Sequence, residues 1–240
     1  MADEFSAIHK EVDSILIDSV VEFYCDEMTQ FLVQNFLEQV LIFFRLNPVL
    51  QKIQTPAIHS LKSRLKEPEH LRDKLTRKAN KGIVVTRDTL FQEVTDLAGV
   101  RVLHLHQEQF KAIHSEIMKK IGQGDWLLGE SPKAYTWDPE TQAFFDSLSI
   151  QTEVRETYYT SVHYLVKPNN QSNICCEIQV RTLFEEIWGE IDHIINYPER
   201  TNSVACAEQL RVLSKLVSTG TRLSDSIFRS YKEHIESSSP

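Results

Sequence analysis

The chain has 240 residues, of which 41% are hydrophobic and 25% charged, and its formal net charge is −8. These values fit one sizeable core, or at most two small domains, and exclude a disordered chain. They also argue against a general polyanion-binding surface.

Residues 8–46 carry helical periodicity through Ile8, Val12, Ile15, Leu16, Val20 and Phe23, then Met28, Phe31, Leu32, Phe36 and Val40. This predicts one long amphipathic helix or two. Pro48 and Pro56 punctuate its exit. Residues 59–81 read as a basic helix, entered near Pro68 and ended at Gly82. Val100–Leu105 reads as a strand. The following helix shows Phe110, Ile113, Ile117 and Ile121 on one face and stops at Gly122. Residues 122–150 show no periodicity and read as a long irregular insertion, either a lid or a packed surface loop. Strands at about 160–167 and 174–182 are joined by a turn-rich segment, Lys167–Asn173. Helices are predicted at 183–196 and, after Pro198, at about 203–234. The order predicts an α/β (α+β) protein with a mixed sheet surrounded by helices. Residues 1–57 form an N-terminal helical extension, 58–198 a central domain, and 199–240 a C-terminal helix and tail.

Cys25, Cys175, Cys176 and Cys206 lack metal-ligand or CxxC spacing and read as reduced thiols. No signal pattern and no apolar run of about 20 residues is seen, so a cytoplasmic protein without membrane contact is expected.

Three polar clusters carry the candidate chemistry. Between Lys62 and Lys81, eight basic residues stand against three acids, a local +5 in an acidic chain. Either a solvated basic helix or an anion site results. Within it, Lys74, Arg77 and Lys78 share a helical face, with Lys66 eight residues before Lys74. The second cluster is Thr95–Arg101, where Asp96 is either a turn acid or a metal-holding carboxylate beside a phosphate. In the third, Tyr158–His163 precedes the strand Cys176–Thr182. That strand places Glu177, Gln179 and Arg181 on one face, where they either pair with one another or face a ligand.

The clusters match one family in order and spacing. Arg64, Lys66, Lys74 and Arg77 fit an R-x-K opening motif. Asp96–Arg101 reads D-L-A-G-V-R. Tyr159, Ser161 and His163 fit Y-x-S-x-H. Glu177–Thr182 reads E-I-Q-V-R-T, and Trp188–His193 completes W-x-x-I-D-H. From about Arg64 to about Tyr197 the chain resembles a RelA/SpoT-type synthetase domain of the small alarmone synthetases.

The resemblance implies a nucleotidyltransferase-like sheet and transfer of pyrophosphate from ATP to the 3′-hydroxyl of GDP or GTP, giving (p)ppGpp and AMP. It implies that Arg64 and Arg101 sandwich adenine and that Lys66, Lys74 and Arg77 hold the ATP phosphates. Asp96 and Glu177 would be catalytic and hold Mg²⁺. Arg155, Tyr159, His163, Gln179 and Glu186 would bind the acceptor. The chain departs from the family at His70 for Ser, Tyr158 for Gly, Arg155 for Lys and Glu186 for a frequent Asn. Most of these lie on the acceptor side, and a Tyr at 158 removes glycine's backbone freedom there. Alternative acceptors are an adenosine nucleotide or a tRNA 3′ end, modified by a growth-arresting toxin. A non-catalytic nucleotide sensor is the reading of another class. No HD dipeptide occurs, so the family's hydrolase activity is not expected. Terminal helices suit self-association, and an antitoxin protein is the partner implied by the toxin reading.

Overall fold

The structure is a computed structural model that describes residues 2–52, 56–197 and 199–238, with side chains described from residue 14 onward. Its elements in chain order are α1 (Ala2–Cys25), α2 (Glu27–Leu46), β1 (Ser60–Leu65), α3 (Pro68–Ala79), α4 (Leu90–Glu93), β2 (Ala98–His104) and α5 (Gln109–Gly122). They continue with β3 (Leu127–Thr136), α6 (Pro139–Ser147), β4 (Gln151–Val154), β5 (Ser161–Lys167), β6 (Cys176–Thr182), α7 (Leu183–Asn196) and α8 (Val204–Ser238). The mixed α/β class is as expected.

The long N-terminal periodicity resolves into two helices. Asp26 separates them because its side chain accepts the amides of Met28 and Thr29, starting a new helix. The Ile8 and Val12 side chains lie outside the described residues.

Six strands form one mixed sheet in the order β1-β2-β6-β5-β3-β4. The central pair β2 and β6 is parallel, while β1 flanks β2 and β5 flanks β6 in antiparallel fashion. Along β2 and β6 the side chains alternate by face. Val100, Val102, Cys176, Ile178 and Val180 join one apolar cluster with Val33, Val40 and Phe44 of α2 and with Phe110, Ile113 and Ile117 of α5. The opposite face carries Gly99, Arg101, Glu177, Gln179 and Arg181. It is this half-open polar face that holds the candidate site.

Two sequence expectations fail here. The basic helix predicted for 59–81 is a strand followed by a shorter helix. Lys62, Ser63 and Arg64 are exposed on β1 at the sheet edge, so the strand shows no apolar alternation. Helix α3 ends at Ala79, and Gly82 follows it at φ +77°. The second failure is 122–150, which is not irregular. It contains β3 and α6 and leads into β4, a strand the sequence reading missed. Strand β3 pairs with β5 through two register shifts, between Leu128 and Glu130 and between Glu130 and Lys133. Gly129 and Pro132 occupy that bulged stretch, which erased the period-two signal.

Between β5 and β6 the chain reverses as expected, with Asn169 Oδ1 accepting the amides of Gln171 and Ser172. Strand β6 runs directly into α7. Thr182 caps that helix, its hydroxyl accepting from the Glu185 amide, and the Glu185 carboxylate accepts from the Thr182 amide, a capping box. Pro198, expected to precede the last helix, lies outside the described residues. Helix α8 packs on α7, and the Trp188 indole donates to the Leu210 carbonyl. All four cysteines are free, and burial pushes the Cys175 and Cys176 thiols up. Among the described residues no helix is long and apolar enough to cross a membrane.

Candidate active site

The polar face is organised in rows across the strands. One row aligns Arg64, Gly99 and Glu177. The next aligns Lys62, Arg101, Gln179 and His163. Residues from four distant sequence motifs thus stand side by side because strand pairing fixes their register. Above them lies a cavity of about 320 Å³ lined by Arg64, Asp96, Gly99, Arg101, Glu177 and Gln179, with Glu190 and His193 from α7. A second cavity of about 290 Å³ adjoins it and shares Arg101, Gln179 and His193. Its own lining includes Tyr159, Arg181, Asp192 and Tyr197.

Asp96 stands just before β2 at the edge of the first cavity. Lys66 Nζ donates to Oδ2 and Lys74 Nζ to Oδ1, each at 2.8 Å. Burial by itself would push this carboxyl up, but Lys74 and Lys66 outweigh it and hold the group at about 2. Asp96 is therefore ionised at neutral pH, with both oxygens engaged by cations.

Glu177 is bound differently. His163 Nδ1 lies 3.2 Å from Oε1, and Gln179 Nε2 donates to Oε2 at 2.7 Å. On its far side His163 Nε2 meets the Tyr159 hydroxyl at 3.0 Å. One tautomer satisfies the whole chain: Tyr159 O–H donates to Nε2, and Nδ1–H donates to Glu177. Burial pushes the Glu177 carboxyl up, but the His163 and Gln179 contacts together hold it below the usual carboxylate range. It is an ionised acceptor beside that imidazole.

Glu186, on α7, has a different setting. It is 4% exposed and lines neither cavity. Its Oε1 accepts from Lys62 Nζ at 2.7 Å and Arg101 at 3.1 Å, and its Oε2 is in ion-pair contact with Arg181. Arg101 also reaches Glu190. Gly189 makes room for this arrangement, because a Cβ there would meet Arg181 Nη1 at 3.0 Å. The acid thus fixes three cations drawn from β1, β2 and β6.

The remaining expected residues sit farther out. Arg77 is exposed on α3, its Nε donating to the Asp73 carbonyl at 3.3 Å. Arg155 lies over the Tyr135 ring at 4.3 Å and pairs with Glu153. Neither lines the two cavities. Tyr158 corrects an expectation: its backbone takes the left-handed conformation that glycine favours, at φ +63°. The Trp137 indole packs edge-on against the Tyr158 ring at 5.4 Å. The sequence reading gave no role to Lys62, Glu190 or Tyr197. A usable signal existed for the last two, since Glu186, Glu190, His193 and Tyr197 repeat at helical spacing on one face of α7.

Asp96, just before β2, and Glu177, on β6, line one cavity, and both are hard oxygen donors. Among the described residues no cluster of three or more His, Cys, Asp or Glu side chains could hold a metal alone. A two-carboxylate set fits Mg²⁺, which takes its other ligands from phosphate and water.

A family model described as the region found in RelA and SpoT proteins matches residues 63–202. No curated protein sequence matches the chain. Among solved structures, a GTP pyrophosphokinase family protein from Streptococcus pneumoniae is similar at 20% identity, TM-score 0.65, covering 89% of this chain and 98% of that one. The small alarmone synthetase 1 from Bacillus subtilis is similar at 19% identity, TM-score 0.66, covering 87% and 99%. The same Bacillus protein bound to its product pppGpp is similar at 17% identity, TM-score 0.61, covering 87% and 98%. At these identities the likeness is one of fold.

Proposed function

The chain belongs to the family marked by the region found in RelA and SpoT proteins, and on that premise we propose that it transfers pyrophosphate from ATP to the 3′-hydroxyl of GDP or GTP, releasing AMP. The observation that carries this reading is the pairing of Asp96 and Glu177 on one cavity that adjoins a second through Arg101, Gln179 and His193. Two adjoining cavities suit a donor and an acceptor nucleotide. A pure binder has no need of two ionised carboxylates beside a triphosphate. Structures of a Bacillus relative with pppGpp and with AMPCPP support nucleotide substrates.

In this mechanism Arg64 and Arg101 hold the adenine, while Lys66, Lys74 and Arg77 hold the donor phosphates. The two lysines leave Asp96 for the triphosphate, which frees its oxygens. Mg²⁺, held by Asp96 and Glu177, would supply neutralisation of phosphate charge. Tyr159 stacks on the acceptor base, with Arg155, His163 and Gln179 beside the acceptor. Glu186 serves it through the cations it fixes. Glu177 takes the proton of the 3′-hydroxyl as that oxygen attacks the β-phosphorus. The bond from the bridging oxygen to that phosphorus breaks, and AMP leaves. The hydrogen-bonded chain from Tyr159 through His163 keeps Glu177 oriented as proton acceptor.

The same donor chemistry on an adenosine nucleotide or a tRNA 3′ end, as a toxin, is the second reading. Tyr158 and Glu186, on the acceptor side, favour it; the net charge of −8 disfavours the tRNA form. Exposed apolar side chains on α8, such as Leu216, Leu223 and Ile227, support self-association through the terminal helices. An antitoxin partner belongs to the second reading, and a cytoplasmic setting to both. Mass spectrometry of products from ATP with a mixture of GDP, GTP, AMP and tRNA tests the proposal. A guanosine product bearing a 3′-diphosphate is expected; absence of AMP release with every acceptor would refute it.

A further inference from the structure

Lys66 occupies an unusual place. It lies with Glu67 between the end of β1 and the start of α3, in no regular element, yet its side chain makes one of the two bonds to Asp96. Two hydrogen bonds fix its backbone. The Lys66 amide donates to the Leu97 carbonyl at 2.9 Å, next to Asp96 itself. The Lys66 carbonyl accepts from the Tyr24 hydroxyl at 2.8 Å. Tyr24 comes from the last turn of α1, forty-two residues away and outside the region the family model matches.

Tyr24 is itself rigidly placed. It is 1% exposed. Its carbonyl accepts from Gln30 Nε2 at 2.7 Å across the α1–α2 corner, where Asp26 caps α2. The hydroxyl therefore projects from a packed corner onto a backbone carbonyl that no strand or helix holds. We propose that Tyr24 is a positioning residue for the donor site: it fixes the Lys66 peptide so that the ammonium sits over Asp96 and can pass to the donor phosphates. This rests on the reading that Lys66 grips those phosphates. The α1 helix is then a working part of the nucleotide site, acting through one hydroxyl.

The neighbouring contacts between α1 and the site's helix supply a control. Asp18 of α1 pairs with Arg72 of α3 at the half-exposed surface, a contact worth little. Losing it loosens α1 without touching Lys66.

The test is titration calorimetry of the full chain with α,β-methylene ATP and Mg²⁺, for the wild type, Tyr24→Phe, Asp18→Asn and Lys66→Ala, with circular dichroism confirming that each is folded. Removing one neutral hydrogen bond is expected to weaken the analogue about three- to tenfold in Tyr24→Phe. Asp18→Asn should stay within about twofold, and Lys66→Ala should lose more than Tyr24→Phe. In turnover, Tyr24→Phe should raise the KM for ATP and leave the acceptor KM unchanged, a split that a merely structural role would not give. Tyr24→Phe that binds like the wild type while Lys66→Ala binds weakly would overturn the proposal and leave the phosphate reading standing. So would Asp18→Asn weakening as much as Tyr24→Phe. Lys66→Ala binding like the wild type would remove the phosphate reading and the proposal with it.

Discussion

Replacing Glu186 by Gln removes one negative charge from the centre of the polar face and leaves its volume unchanged. In the wild type the Glu186 side chain is 5% exposed and that of Arg181 3%, so this pair is shielded from water. Arg181 Nε has no hydrogen-bond partner, and Glu186 is in ion-pair contact with the guanidinium. Removing one member of a buried pair costs about 3–5 kcal/mol because the other charge stays behind uncompensated. Glutamine keeps one carbonyl acceptor, which places the expected loss near the lower end, about 3 kcal/mol. The Lys62 contact adds little, since that side chain is 53% exposed. With a urea slope of about 2–3 kcal/mol per M, the midpoint should fall by roughly 1 M. The assay is urea unfolding of nucleotide-free protein, followed by circular dichroism. A loss below about 1 kcal/mol would refute the claim that Glu186 is the counter-ion of Arg181. The double variant Glu186→Gln with Arg181→Met should recover most of the loss, because both charges are then gone.

Other outcomes follow from the same geometry. Glu177→Gln should lower turnover by about 10²–10⁴-fold, measured by AMP release. Asp96 has a folded-state value of about 2, below its ordinary value of 3.8. The stability it contributes is therefore complete above about pH 4 and is lost as pH falls toward 2. That contribution is about 2 kcal/mol, and urea midpoints of Asp96→Asn should lack this part of the acid dependence seen in the wild type. Tyr158 sits at φ +63°, so Tyr158→Gly should be more stable than Tyr158→Ala by about 1 kcal/mol in urea melts. The opposite order would show that the left-handed conformation is not retained.

The strand that carries Glu177 and Gln179 was legible because buried Cys176, Ile178 and Val180 alternate with them. Thr182 was legible as part of a motif, and its physical role is to cap α7. Strand β1 was not legible. Edge position leaves Lys62, Ser63 and Arg64 in solvent, so their spacing imitates a basic helix. Strand β3 was hidden by the bulge around Gly129 and Pro132. In the site, single motifs named Asp96 and Glu177, yet what surrounds them depends on register. Nothing in the local sequence places Lys62, Arg101 and Arg181 on one carboxylate, because they come from three strands. The Tyr24 contact was equally out of reach, since it joins α1 to a carbonyl between two elements.

The central claim is that the two cavities hold a donor and an acceptor for transfer of the β- and γ-phosphates as one unit. The most direct measurement uses ATP labelled in the β-phosphate, offered with GDP or GTP and Mg²⁺. Label should move to the guanosine nucleotide in step with AMP formation, and Glu177→Gln should slow both by about 10²–10⁴-fold. Label remaining in ATP, or leaving as ADP with inorganic phosphate released, would contradict it.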